Sequence, residues 1–200
     1  MISLCATFED WLICDGDYPP LAKGQKVNFS FKVFQKDYEI VEEELYVFDQ
    51  IKRSEYNFSG KIIYKYGNII VVDTSSFKFY IEIERSNIAN ICVGQFIKGS
   101  GTLHVDYYGW VINLNRYENH PDIFYNFVVE NIFKVIISKK YIVKVSNGIR
   151  FPCSLTSDEY GDNELKEVSK MNSNTSLSFY LLNLSEINET VKKTYIGGIV

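Results

Sequence analysis

The chain has 200 residues, 46% of them apolar and 16% aromatic, enough for a packed core and too much for general disorder. Its 25 acidic against 21 basic residues leave a formal net charge of -4, so no global positive field gathers phosphates and nucleic acid starts as a disfavoured partner. The first ten residues lack a basic, apolar leader and no apolar run is long enough to cross a bilayer, so the sequence reads as cytoplasmic with no membrane partner.

In chain order, residues 2–34 contain at least two strands around the turn Asp15-Gly16-Asp17-Tyr18-Pro19-Pro20, where Gly and Pro break regular structure. The second strand alternates Val27, Phe29, Phe31 and Val33 with Asn28, Ser30 and Lys32, a period of two with one face toward a core. Ile40, Val41, Leu45, Phe48 and Ile51 then fall near helical spacing across the acidic run Glu42-Glu43-Glu44 and suggest a helix. Two apolar runs, Lys61 to Tyr66 and Ile69 to Val72, flank Gly67-Asn68, a dipeptide suited to a tight hairpin. Thr74-Ser75-Ser76 turns the chain into the clearest strand, where Phe77, Phe79, Ile81 and Ile83 alternate with Lys78, Tyr80, Glu82 and Glu84. Residues 58–84 therefore read as a three-stranded antiparallel meander.

After a short connection, Gly94 to Gly101 leads into a strand alternating Leu103, Val105 and Tyr107 with His104 and Asp106. Its closely spaced glycines suggest a strand that bends at a corner. Val128 to Ile137, Tyr141 to Val145 and Leu177 to Leu184 read as further strands, Leu165, Val168 and Met171 as one amphipathic helical turn, and residues 157–176 as a polar loop. The fold class is all-β.

A meander, a connection and the glycine-rich strand Val93-Gly94-Gln95-Phe96-Ile97-Lys98-Gly99-Ser100-Gly101-Thr102-Leu103 resemble an OB-fold barrel over residues 56–115. The resemblance implies a five-stranded barrel in mid-chain; residues 1–55 and 116–200 then pair into a second β unit, the alternative being one large sandwich. It brings no family-specific functional residue.

Motifs for chemistry are scarce. Cys5, Cys14, Cys92 and Cys153 are scattered without a Cys-x-x-Cys pair, which fits reduced, mostly buried thiols rather than zinc ligands or disulfides. His104 shares a strand face with Thr102 and Asp106, a set that strand alternation alone produces on a solvated face. His120-Pro121-Asp122 reads as a turn, and Asp15-Gly16-Asp17 lacks the later oxygen ligands of a calcium loop. No nucleophile elbow, P-loop, dinucleotide fingerprint or zinc helix occurs, so no catalytic residue, metal or cofactor is expected.

OB-fold barrels stack bases on aromatics flanked by cations on the outward face of their second and third strands. Tyr80 beside Lys78, with Lys61 and Lys65 nearby in the meander, makes a faint version of that surface; His104 and Trp110 are weaker candidates, Trp11 and Trp110 being more often core or rim residues than ligand platforms. Glu82 and Glu84 on the same face would repel phosphate. The reading that fits best is a non-catalytic module binding another protein, of accessory or toxin-immunity type, ahead of a single-stranded nucleic-acid binder and, third, a hydrolase with a dispersed site.

Overall fold

The alternating segments meet in one mixed sheet of eleven strands. The computed structural model describes residues 1–106, 109–113, 116–136, 144–146, 149–151, 164–172 and 179–196. In chain order the strands are β1 (Ser3–Glu9), β2 (Lys26–Phe29), β3 (Phe31–Val41), β4 (Val47–Lys52), β5 (Glu55–Tyr66), β6 (Ile69–Asp73) and β7 (Lys78–Glu82). Then come β8 (Phe96–Val105), β9 (Tyr125–Ile136), β10 (Lys144–Ser146), β11 (Ile149–Phe151), β12 (Glu164–Val168) and β13 (Phe179–Glu186). β10 and β11 pair with each other, apart from the large sheet. Among the described residues helix is confined to single turns, α1 (Trp11–Cys14), α2 (Trp110–Asn113) and the 3-10 turn Ile88–Asn90. Among the described residues no helix is long and apolar enough to cross a membrane.

The meander is present: β5, β6 and β7 run antiparallel, with Tyr66 opposite Ile69 across the Gly67-Asn68 turn. β3 lies parallel to β7 and antiparallel to β8, and β8 returns antiparallel to β5. Strands β3, β7, β6, β5 and β8 thus close into a ring. The ring takes β3 from residues ahead of 56 and so is not contained in residues 56–115.

The bent strand predicted around Gly99 and Gly101 is β8, bonded on one edge to β3 and on the other to β5. A Cβ on Gly99 would lie 2.4 Å from the Asp37 carbonyl oxygen and one on Gly101 2.5 Å from that of Phe34. Only glycine admits such an approach of neighbouring backbone.

The terminal segments pair with each other, β1 with β13, β13 with β9, and β9 with β2. The alternating run 27–33 is interrupted at Ser30, where the chain changes partner: β2 lies on β9, whereas β3 lies on β8. One core runs through both regions, joining Leu4, Ala6 and Phe8 of β1 and Leu182 of β13 to Val33, Phe79, Ile81 and Leu103 of the ring.

Three expectations need correction. Residues 40–51 form the end of β3, a loop and β4 rather than a helix: Ile40 and Val41 stay in the ladder with β8, Val47–Gln50 pair with β5, and Ile40, Leu45 and Ile51 are exposed instead of sharing a buried face. Leu165 and Val168 belong to strand β12, paired with β9, so part of the expected 157–176 loop is strand and the helical turn is absent there. Cys5 is buried, but Cys14 and Cys92 are exposed. Tyr107, most of the expected strand 141–145 and Cys153 lie outside the described residues.

Phe79 is fully buried, 5.3 Å from the Phe58 ring and 5.4 Å from that of Phe48. Phe79→Ala is expected to cost about 3–5 kcal/mol, whereas Lys78→Ala, at a half-exposed neighbouring position, should cost under about 0.5 kcal/mol. Urea unfolding of the two variants measures this, and comparable losses would contradict the assigned faces.

Candidate functional site

In a half-buried sheet one face is expected to be wet. Here much of the outer face is covered. Tyr80, Ile69 and Val71 pack on Trp110, Tyr117 and Ile123 in a second apolar cluster. Trp110 is fully buried, with its ring 6.2 Å from that of Tyr80 and its indole Nε1 unpartnered. Gly109 lies flat on Tyr80, since a Cβ there would fall 2.6 Å from the Tyr80 hydroxyl.

Asp106 organises this cover. It is fully buried. Its Oδ1 accepts hydrogen bonds from the Tyr80 hydroxyl at 2.5 Å and the Gly109 N–H at 3.2 Å. Its Oδ2 accepts from Ser30 Oγ at 3.1 Å, the Trp110 N–H at 3.2 Å and the Val111 N–H at 2.8 Å. Burial pushes its pKa up, and the donors, Tyr80 first, pull it back only in part.

Beside Asp106, the registers align Thr7 of β1, His104 of β8, Lys32 of β3 and Tyr80 of β7 in one row. His104 is therefore not on a solvated face: it is 7% exposed, with Nδ1 3.6 Å from Glu9 Oε1, an electrostatic contact longer than a hydrogen bond. Burial holds the His104 pKa below its ordinary value despite Glu9. Burial alone would raise Glu9, yet His104, the Trp11 indole N–H and the Lys32 charge bring it below the usual carboxylate range. Lys32 pairs with Glu82 at 2.9 Å and lies over the Phe34 ring.

The structure thus brings Tyr80 and Trp110 together, with His104 two strands from Tyr80 in the same row, and buries all three. Lys65 pairs with Ile70, one position from the Tyr80–Val71 pair and hence on the opposite face, where its Nζ donates to the Ile88 and Ile91 carbonyls. Lys78 lies opposite Asp73 and its backbone N–H donates to the Tyr125 hydroxyl. The five residues do not form one open surface.

An open site lies farther along the outer face of β8. Two rows cross it: Glu39, Lys98, Ser59 and Val47, then Asp37, Ser100, Asn57 and Asp49, contributed by β3, β8, β5 and β4. With Leu45 they line a cleft of about 550 Å³, to which Asp49 is adjacent. Asp37 Oδ1 accepts from the backbone N–H and the hydroxyl of Ser100, each at 2.8 Å. Lys98 is paired with Glu39 at 2.8 Å, and Glu39, with Glu43 behind it, holds the Lys98 pKa above its ordinary value. Ser59 is 2% exposed and its Oγ has no hydrogen-bond partner among the described residues, although buried hydroxyls are nearly always paired. Sequence reading missed this site because Ser59, Lys98 and Asp37 are distant in sequence and gather only when the ring closes.

Among the described residues no three His, Cys, Asp or Glu side chains gather as a metal site. Comparison with known families, curated proteins and solved structures finds no match for this chain.

Asp106→Asn sets an amide NH2 against backbone N–H groups in either orientation, and is expected to cost about 1–3 kcal/mol, read by urea unfolding. Both His104 and Glu9 have folded pKa values below their unfolded ones. Their stabilisation is complete above the unfolded values and is lost as pH falls, first through His104 below about 6.5 and then through Glu9 below about 4.3. The Tm should therefore fall between about pH 7 and 5.5, and His104→Gln should flatten that part of the profile; an unchanged slope would contradict the assignment.

Proposed function

We propose that this chain is a non-catalytic binding module that holds a basic segment of another protein in the cleft across β3, β8, β5 and β4. The observation that carries this reading is the buried, unpartnered Ser59 Oγ lining a cleft with acidic side chains at its margin. An orphaned buried hydroxyl costs stability, and a ligand donor or acceptor that meets it removes that cost on binding. Asp37, Glu39 and Asp49 lie on the cleft rows, while the cation there, Lys98, is already bound to Glu39. Glu42, Glu43 and Glu44 are exposed beside it, so the field at the cleft favours a cationic partner. An accessory or toxin-immunity role is compatible with such an acidic docking surface.

The ring, with its three-strand meander, supports an OB-like reading in which β3 supplies the strand that residues 56–115 lack. OB-folds take nucleic acid on the face of their second and third strands. The corresponding outward residues here, Ile69, Val71 and Tyr80, are packed beneath Trp110, Tyr117 and Ile123. That argues for a protein partner at the cleft over bases on the meander.

Octa-arginine is expected to shift the amide resonances of Asn57, Ser59, Lys98 and Ser100, with affinity falling about tenfold between about 50 and 200 mM salt; oligothymidine should shift none of them. Ser59→Ala should leave thermal stability unchanged or raised while weakening peptide binding several-fold. Tighter binding of oligothymidine than of the peptide, or peptide shifts confined to another surface, would overturn the reading.

A further inference from the structure

The cleft does not end at β5. Its rows continue onto β4, which is the last strand on the sheet path and pairs, among the described residues, only with β5. A strand with one bonded edge presents a line of backbone donors and acceptors on the other, a template for a further strand. The β4 ladder is regular from Val47 to Gln50 and bulges before Lys52, so a regular addition has four residues to pair with. Asp49, Gln50, Ile51 and Lys52 are exposed along this strand.

We infer that the partner's basic segment docks as an added β-strand on the free edge of β4, with basic side chains at two alternate positions facing the cleft. This rests on the functional reading above and specifies how the cleft is occupied. In an extended segment, residues i and i+2 share a face. The residue opposite Asp49 meets a carboxylate across the ladder, the cross-strand pairing of opposite charges that stabilises a sheet. Its alternate neighbour, opposite Val47, lays an aliphatic stem on that side chain and directs its cationic head along the row toward Ser59 and Glu39. Ser59 is two strand spacings from the added strand, about 10 Å, within reach of an extended arginine and its hydrogen bond. Charge complementarity selects this occupant: Asp37, Glu39 and Asp49 on the two rows face Lys98, which Glu39 already holds.

The experiment compares three capped octapeptides by calorimetric titration of the intact chain: alternating Arg and Thr, the same peptide N-methylated at alternate residues to remove one edge of backbone donors, and alternating Glu and Thr. The Arg–Thr peptide is expected to bind and to slow amide exchange within Val47–Gln50. N-methylation should weaken binding at least tenfold, Asp49→Lys should do the same, and Glu–Thr should not bind. Equal affinity of the N-methylated peptide, with shifts at Ser59 and Ser100 and no protection of β4, would overturn strand addition and leave the cleft reading standing. Absence of Arg–Thr binding at low salt would overturn both. Concentration-dependent dimerisation of the chain with β4 amides protected, in the absence of peptide, would make a second copy the occupant and overturn the basic-segment assignment.

Discussion

The buried carboxylate of Asp106 is the constraint on which the arrangement depends. It binds the end of β8 to Ser30, where the chain passes from β2 to β3, and the Ser30 carbonyl in turn accepts from the Asp106 N–H at 2.9 Å. It also binds Tyr80 of β7 and the first N–H groups of α2. Its own carbonyl accepts from the Tyr18 hydroxyl at 2.8 Å, which reaches the core beside Phe8 and Phe29. Among the described residues no cation is a partner: hydroxyl and backbone N–H dipoles are oriented toward the carboxyl. A carboxylate in a low-dielectric interior is tolerated only when its lone pairs are so occupied. Ring, terminal strands and covering segment are thereby fixed to a common point.

From that point outward, the external face of the sheet divides into regions with different roles. Near Asp106 it is covered by Trp110, Tyr117 and Ile123, and across the β1–β13 region Cys5 and Leu181 pack with Val135. Between these covers the row Thr7–His104–Lys32 is closed but polar. Only beyond Thr102, where β8 takes β5 as a neighbour in place of β1, does the face open into the cleft. The same strand is a structural anchor at one end and a floor for binding at the other.

The strands were legible wherever alternation met a single apolar face, as at Phe77–Ile83 and Val27–Val33. The inward half of that pattern is what the ring buries: Phe77, Phe79, Ile81 and Ile83 all lie in the core. The outward half was misread at Tyr80, His104 and Asp106. Polar residues at period two look solvated, and nothing local announces that Trp110, Tyr117 and Ile123 pack over Tyr80. Residues 40–51 look helical because apolar residues of two strands and the loop between them fall at spacings of three and four, although Ile40, Leu45 and Ile51 are exposed. The cleft left no local trace. Its rows combine lateral neighbours on four strands, from Asp49 with Asn57, 8 residues apart, to Asp37 with Ser100, 63 apart, and such neighbours are fixed by register.

The pairing of β1 with β13 sets an order on biosynthesis. Residues 3–9 leave the ribosome well before their antiparallel partner, residues 179–186. At ordinary synthesis rates of about 5–20 residues per second, β1 waits many seconds for that partner. The ring strands, β3 through β8, are complete in the chain long before. During that interval the face of Leu4, Ala6 and Phe8 has the ring end of the core as its available shelter, and the short parallel contact of Thr7 with His104 is the foothold that holds the nascent strand on the finished part of the sheet.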